Sequence, residues 1–205
     1  MVRLLAFTFA GAASRFDDRR ALIIEETNAI GTAWLRLDLL PTHAQPPLRD
    51  LFRRYVDARL EAYRKLPDIQ AAFAELDRAN QLQSEIWSQT VAVGRLEEAP
   101  PAASMLLLPA LNQMIDITTT RTMSARMHPP LVIFIMLFGI ALASSVLAGY
   151  EMAVGQSRNW LHTLGFAAIL AMAVYVIIDI EFPRLGLIQV DAFDQALVDL
   201  RANMQ

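Results

Sequence analysis

Cysteine is absent from this 205-residue sequence, which excludes disulfides, thiolate metal sites and cysteine nucleophiles and leaves the redox compartment open. Charge is scarce as well. Only 19% of residues are charged against 55% hydrophobic, and the mean hydropathy is +0.33, too oily for an ordinary soluble domain. The formal net charge of -3 offers none of the basic surplus of a general nucleic-acid binder, and no zinc-finger spacing or aromatic-plus-basic platform occurs. No nucleic-acid partner is expected. Glycine-rich phosphate loops, a G-x-S-x-G elbow and H-E-x-x-H are all missing, and the three histidines, His43, His128 and His162, are scattered along the chain. Glu25 and Asp116 are two carboxylates without a third identified ligand, which is weak ground for a metal centre. No catalytic residue, metal or cofactor is expected.

What is present is concentrated. Residues Pro129 to Tyr150, PPLVIFIMLFGIALASSVLAGY, form 22 consecutive residues without a charge, enough to cross roughly 30 Å of hydrocarbon at about 1.5 Å per residue. A second run of 19 residues from Trp160 to Ile178, WLHTLGFAAILAMAVYVII, has His162 as its only ionisable side chain, near the interface end. The short polar linker Glu151 to Asn159 makes 129–150 and 160–178 an antiparallel transmembrane hairpin.

Proline is missing between Met1 and Leu40, so one helix is predicted from the amino terminus to about residue 38. Its first part, residues 4–14, is uncharged between Arg3 and Arg15 but covers only about half a bilayer, and it lacks the cleavage pattern of a secretory signal. It reads as a partial membrane segment. From there Ser14, Asp18, Ala21, Glu25, Asn28, Thr32 and Arg36 recur at steps of three or four, the signature of one helical face. Arg15, Arg19 and Arg20 follow the first apolar segment, Arg121 and Arg126 precede the second, and Arg184 follows the last. The positive-inside rule then places the middle region and the carboxyl tail, 179–205, in the cytoplasm and 151–159 outside.

Between the membrane parts, residues 44–128 read as helices. Leu48, Leu51, Phe52, Tyr55, Val56, Leu60 and Tyr63 form a broad apolar face behind the helix-starting prolines Pro46 and Pro47. Ile69, Phe73, Leu76, Leu82, Ile86 and Trp87 are expected to do the same on the next helix, and a third starts near Pro101 and ends before Pro129. With no repeat and no low-complexity segment, residues 1–205 read as one domain. The fold class is all-α: an integral membrane helical bundle with elongated cytoplasmic helices.

Three stretches then carry a resemblance: FTFAGAASRFDDRRALIIEETNAIGTAWLRLDLLP, LNQMIDITTTRTMSAR and VYVIIDIEFPRLGLIQVDAFD. They resemble signature regions of the bacterial bestrophin-like family of integral membrane proteins, most specifically at Arg15, Phe16, Asp17, Arg19, Arg20, Glu25, Asn28, Gly31 and Thr32, then at Asp179, Glu181, Pro183 and Arg184. The resemblance implies a further transmembrane helix ahead of the equivalent of this amino terminus. More distantly it points to bestrophins, pentameric anion channels whose pore is lined by a long helix continuing from membrane to cytoplasm. It therefore implies a homo-oligomer, with five copies the leading count, set in a lipid bilayer and passing an anion such as chloride. Phe7 and Phe9 resemble the apolar constrictions of such pores, although two residues apart they do not share a helical face. Calcium regulation does not carry over, because no dense acidic clasp is present.

The closing run raises its own question, since Asp179 and Glu181 interrupt apolar sequence just ahead of Pro183. Three readings stand: the wet end of a helix, a structural ion pair with Arg184 or with Arg15 and Arg19 of the first helix, or direct handling of ions or protons. Asp116 is a further candidate partner for an arginine of the first helix. Pro183 is expected to turn an amphipathic tail along the membrane surface. The stripe from Ser14 to Arg36 has three readings too: a hydrated vestibule on an oligomer axis, a buried polar network, or a solvated face. The expected function is anion channel-like or small-solute permeation, with a non-conducting scaffold as the alternative and an intramembrane enzyme third.

Overall fold

The computed structural model describes residues 2–154, 160–183, 186–188 and 191–204, and every regular element among them is helical. Seven α-helices follow one another: α1 (Val2–Arg36), α2 (Gln45–Arg64), α3 (Ile69–Gly94), α4 (Pro101–Arg126), α5 (Leu131–Val154), α6 (Trp160–Glu181) and α7 (Asp191–Asn203), with short 3-10 turns at Leu37–Leu39 and Thr42–Ala44. The chain forms an all-α bundle divided into two compact units, one of residues 1–18 and 127–189, the other of residues 19–126 and 190–205.

The first unit holds α5, α6 and the start of α1. Its small apolar core is Ala12, Leu137, Val174, Ile177 and Ile180. Outside that core many of the large apolar side chains are uncovered. Ile135, Leu142, Val146 and Leu147 of α5 and Leu161, Leu164, Ile169 and Met172 of α6 are all exposed. Only 6% of the most apolar stretch of the first candidate span is buried, and 28% of the second. A core helix of a water-soluble protein would be covered on such a surface. Both helices are long and apolar enough to cross a membrane.

In the second unit, prolines at the start of α2 fit positions where no backbone donor is needed, and Leu48, Leu51, Phe52, Tyr55, Val56 and Leu60 enter the core at helical spacing. Asp68 caps α3, accepting the Ala71 amide at 3.0 Å. Ile69 and Phe73, expected in the core, are instead 58% and 39% exposed. Small Ala72 and Ala79 face inward in their place, and the Gln83 amide donates to the Tyr55 hydroxyl at 3.1 Å and to Thr118 at 3.2 Å. That pairing fixes the rotation of α3, and Phe73, one residue past Ala72, is turned about 100° away. The tail forms α7, which packs into this unit with Leu197 fully buried and Arg201 bonded to Asp57 through Nε at 2.7 Å and Nη2 at 3.0 Å.

At the centre lies a cluster of charges. Glu26 is fully buried and accepts from Arg59 Nε at 2.6 Å and from Arg121, which also donates to Asp194 at 3.0 Å. Both guanidiniums approach the Tyr63 ring, at 5.4 and 4.2 Å from its centre. Burial by itself would push the Glu26 carboxyl up, but the charges and hydrogen bonds of Arg59 and Arg121 outweigh it and hold the carboxyl below its ordinary range. A depressed folded-state pKa contributes stability that is full above the unfolded value, about 4.3, and is lost as pH falls through the folded one. Glu26→Gln is therefore expected to destabilise the protein by about 3–5 kcal/mol, by leaving buried cations short of a counter-charge. Chemical denaturation in detergent across acidic pH should also show a flatter acid limb than wild type. Equal stability at neutral pH would overturn this account of the cluster.

Candidate functional site

Glu25 and Glu26 are neighbours in sequence, so on a helix they point about 100° apart. With Glu26 drawn inward, Glu25 is left exposed. Glu25 and Asn28 of α1 then face Asn112, Gln113, Asp116 and Thr120 of α4 across an open cleft of about 680 Å³ that Pro109 and Ile117 help to line. None of its lining residues is basic. Two carboxylates and three carboxamides give a surface that holds water or cationic groups and repels anions. The Thr120 hydroxyl is turned back to the Asp116 carbonyl at 2.9 Å.

The rest of the α1 stripe is placed as follows. Ser14, Asp18 and Ala21 are exposed like Glu25 and Asn28, while Thr32 and Arg36 are half-buried. Arg36 donates to the Leu106 carbonyl at 2.5 Å, in the turn where Pro109 removes a donor from the α4 ladder. Phe7, 72% exposed, stands two helical turns before Ser14 and shares its face. Phe9 is exposed on the opposite side of α1, and Thr8 between them is buried and bonded back to the Leu4 carbonyl at 2.8 Å.

In the first unit the end of α6 gathers a second set of polar groups. Glu181, 1% exposed, accepts from Arg15 through Nε at 3.0 Å and Nη2 at 2.7 Å, and lies 3.1 Å from His128 Nδ1. The His128 ring stacks on Phe182 with centres 4.5 Å apart. Asp179, also buried, accepts the backbone amides of Leu187 and Ile188, each at 2.9 Å. A Cβ on Gly186 would overlap the Asp179 carboxylate, so the close approach of this backbone requires glycine.

Of the ion-pair candidates, the structure brings Arg15 and Glu181 together. Arg19 reaches the Ser124 carbonyl at 3.4 Å, Asp116 lines the cleft beside Glu25, and Arg184 lies outside the described residues. Sequence reasoning missed Glu26, Arg59, Asp194 and His128 as members of these ion-pair clusters, and it read Arg121 only as a flanking charge. The available signal was a charge seated on an apolar stripe, as Glu26 is between Ile23 and Ile30.

Glu181 is shut away while Arg15 keeps 32% of its side chain exposed, so the pair is only half desolvated. A double-mutant cycle of Arg15→Gln and Glu181→Gln, read by thermal unfolding in detergent, is expected to give a coupling of about 1–3 kcal/mol. Strict additivity would remove the pair from any account of how α1 is held to α6.

The Bestrophin-like domain family matches residues 3–192, a range that takes in α1 to α6 and the opening of α7. No curated protein and no solved structure matches the chain. The matched range contains both the α1 stripe with its cleft and the Arg15–Glu181 cluster, and by that match the chain belongs to the Bestrophin-like domain family.

Proposed function

We propose that this chain is the subunit of a channel-like membrane assembly in which the exposed face of α1 lines a hydrated path for small solutes, anions passing only against the carboxylates of Asp18 and Glu25. The family is channel-like in general, and one observation carries the reading further. A helix of 35 residues is about 52 Å long, and along it Phe7, Ser14, Asp18, Ala21, Glu25 and Asn28 stay exposed while Ile23, Glu26, Ile30 and Ala33 are buried. Polar side chains on such a face bind water, and Phe7 adds an apolar ring of the kind that gates by excluding it. Closed rotational symmetry would place this face of every copy on a common axis, with five copies as the expected number.

The membrane arrangement has α5 and α6 as spans, the α1 start as a partial one, and residues 19–126 with α7 in the cytoplasm. The absence of native cysteine makes this directly measurable. With Ser157→Cys and, separately, Ser84→Cys, an impermeant thiol reagent applied to intact cells is expected to label the first and spare the second. Ser84 is exposed on α3, so its protection would report the membrane and not burial. Equal labelling of both rejects the arrangement.

Selectivity follows from charge. Asp18 and Glu25 present carboxylates to the path, and an anion crossing them meets a negative potential. In liposomes, Glu25→Gln is expected to raise chloride flux relative to potassium flux, and Thr32→Val to reduce both. A stable, inserted oligomer with no flux across voltage and pH, in wild type and variants alike, favours a non-conducting scaffold instead.

A further inference from the structure

The second unit is discontinuous in sequence. Residues 19–126 supply the later half of α1 with α2, α3 and α4, residues 190–205 supply α7, and the chain between them, with α5 and α6, belongs to the first unit. α7 is not an appendage. Leu197 has no solvent contact and joins the same core as Ile30, Tyr55 and Leu111, and Leu200 Cδ1 lies 3.4 Å from where a Cβ on Gly31 of α1 would stand. Arg201 pairs with Asp57 of α2, and the Met204 carbonyl just past the helix accepts from Arg53 Nε at 3.0 Å.

The contact with α4 is electrostatic. Without Asp194, Glu26 would face Arg59 and Arg121 by itself, and two cations against one carboxylate are disfavoured where there is almost no solvent to screen them. Removing Leu197 would also leave a hole in the core. A helix of 13 residues is marginal in water on its own, so α7 and the unit it completes order each other.

Connectivity then sets a condition. α4 ends at Arg126 and α7 begins at Asp191, with α5 and α6 between them. When both cross the bilayer, the chain returns to the side it left and α7 meets the rest of the second unit there. When only α5 crosses, α7 is stranded on the far side, because a helix carrying Asp191, Asp194, Asp199 and Arg201 does not slip back through lipid.

We infer that α7 is a clasp that closes the second unit only once both α5 and α6 have been inserted, so that the buried Glu26 cluster is completed by a helix that follows the membrane hairpin. The inference rests on the reading of α5 and α6 as spans. It makes closure of the second unit report on the hairpin through the chain connection alone.

Two measurements test it in the full chain. Ala202 is exposed on α7, so Ala202→Cys reports the side of α7 to an impermeant thiol reagent in intact cells, and trypsin applied to inside-out vesicles reports how open the second unit is. In an otherwise native chain the Ala202 site is expected to be spared. Ile169→Arg with Met172→Arg, both at exposed positions of α6, opposes its crossing; the Ala202 site is then expected to be labelled and the second unit cut several-fold faster. Leu197→Asp is expected to give the same fast cleavage with the hairpin still crossing, and Asp194→Asn takes its place if that variant does not accumulate. A second unit as resistant as wild type while the Ala202 site is labelled, or in the α7 variants, overturns the inference and leaves the spans standing. Fast cleavage in the paired-arginine variant with the Ala202 site still spared overturns it too. Labelling of Ala202→Cys in the otherwise native chain shows that the hairpin does not return, and removes the reading of the spans and the inference with it.

Discussion

Glu26 between Arg59 and Arg121 is the contact on which the rest of the second unit turns. It joins α1 to α2 and α4, and through Asp194 it reaches α7. A carboxylate with almost no solvent contact is tolerable only with opposite charge and hydrogen bonds on its oxygens, and here two carboxylates meet two guanidiniums, so the cluster is balanced. Packing alone leaves a helix free to rotate by small amounts at little cost. A buried charge does not, because a few degrees of rotation would leave an unpaired ion. Alongside it, the Tyr55 hydroxyl lies 2.9 Å from Thr118 and accepts from Gln83, and burial pushes that hydroxyl up to about 12, keeping it protonated and able to donate. Charges set the rotation of α1 and α4, and neutral hydrogen bonds set that of α3.

The exposed cleft is a consequence of the same constraint. Once Glu26 is inward, helical geometry sends Glu25 outward and Asn28 with it. Once Thr118 and Arg121 are inward on α4, Asp116 and Thr120 are turned out. No direct contact between Glu25 and Asp116 is needed to bring these groups to one cleft. The polar face is held in place by a buried network one residue away on each helix, which is how a rigid, hydrated surface is built on elements that could otherwise slide.

Much of this was legible in the sequence because it depends on period and length. Six of the seven helices, the two uncharged runs and the polar stripe of α1 follow from spacing, and α2 buries the apolar face its sequence displays. The unread parts depend on pairing between distant residues. Glu26 is 33 residues from Arg59 and 95 from Arg121, and nothing local says which charge on an apolar stripe will meet which. For the same reason α3 looked as if Phe73 faced the core: hydrophobicity favours that face, and a glutamine bonded to two distant hydroxyls decides against it. The abrupt end of α6 was visible as a question only. Asp179 serves the backbone that follows Pro183 and Glu181 serves Arg15, so two carboxylates close together in sequence do different work on different neighbours.

The exposed α1 face narrows what can lie against it. Lipid is disfavoured at Asp18 and Glu25, where the carboxyl groups would lose their hydration. A dry, apolar protein interface is disfavoured for the same reason, and a packed neighbour would have to bring cations or donors in register with both residues. Water meets the requirement without further design. Towards the amino terminus the same face carries Ala10 and Phe7, where a dry contact becomes acceptable. Along α1 the charged positions thus ask for water or polar partners, and a dry contact is acceptable only around Phe7.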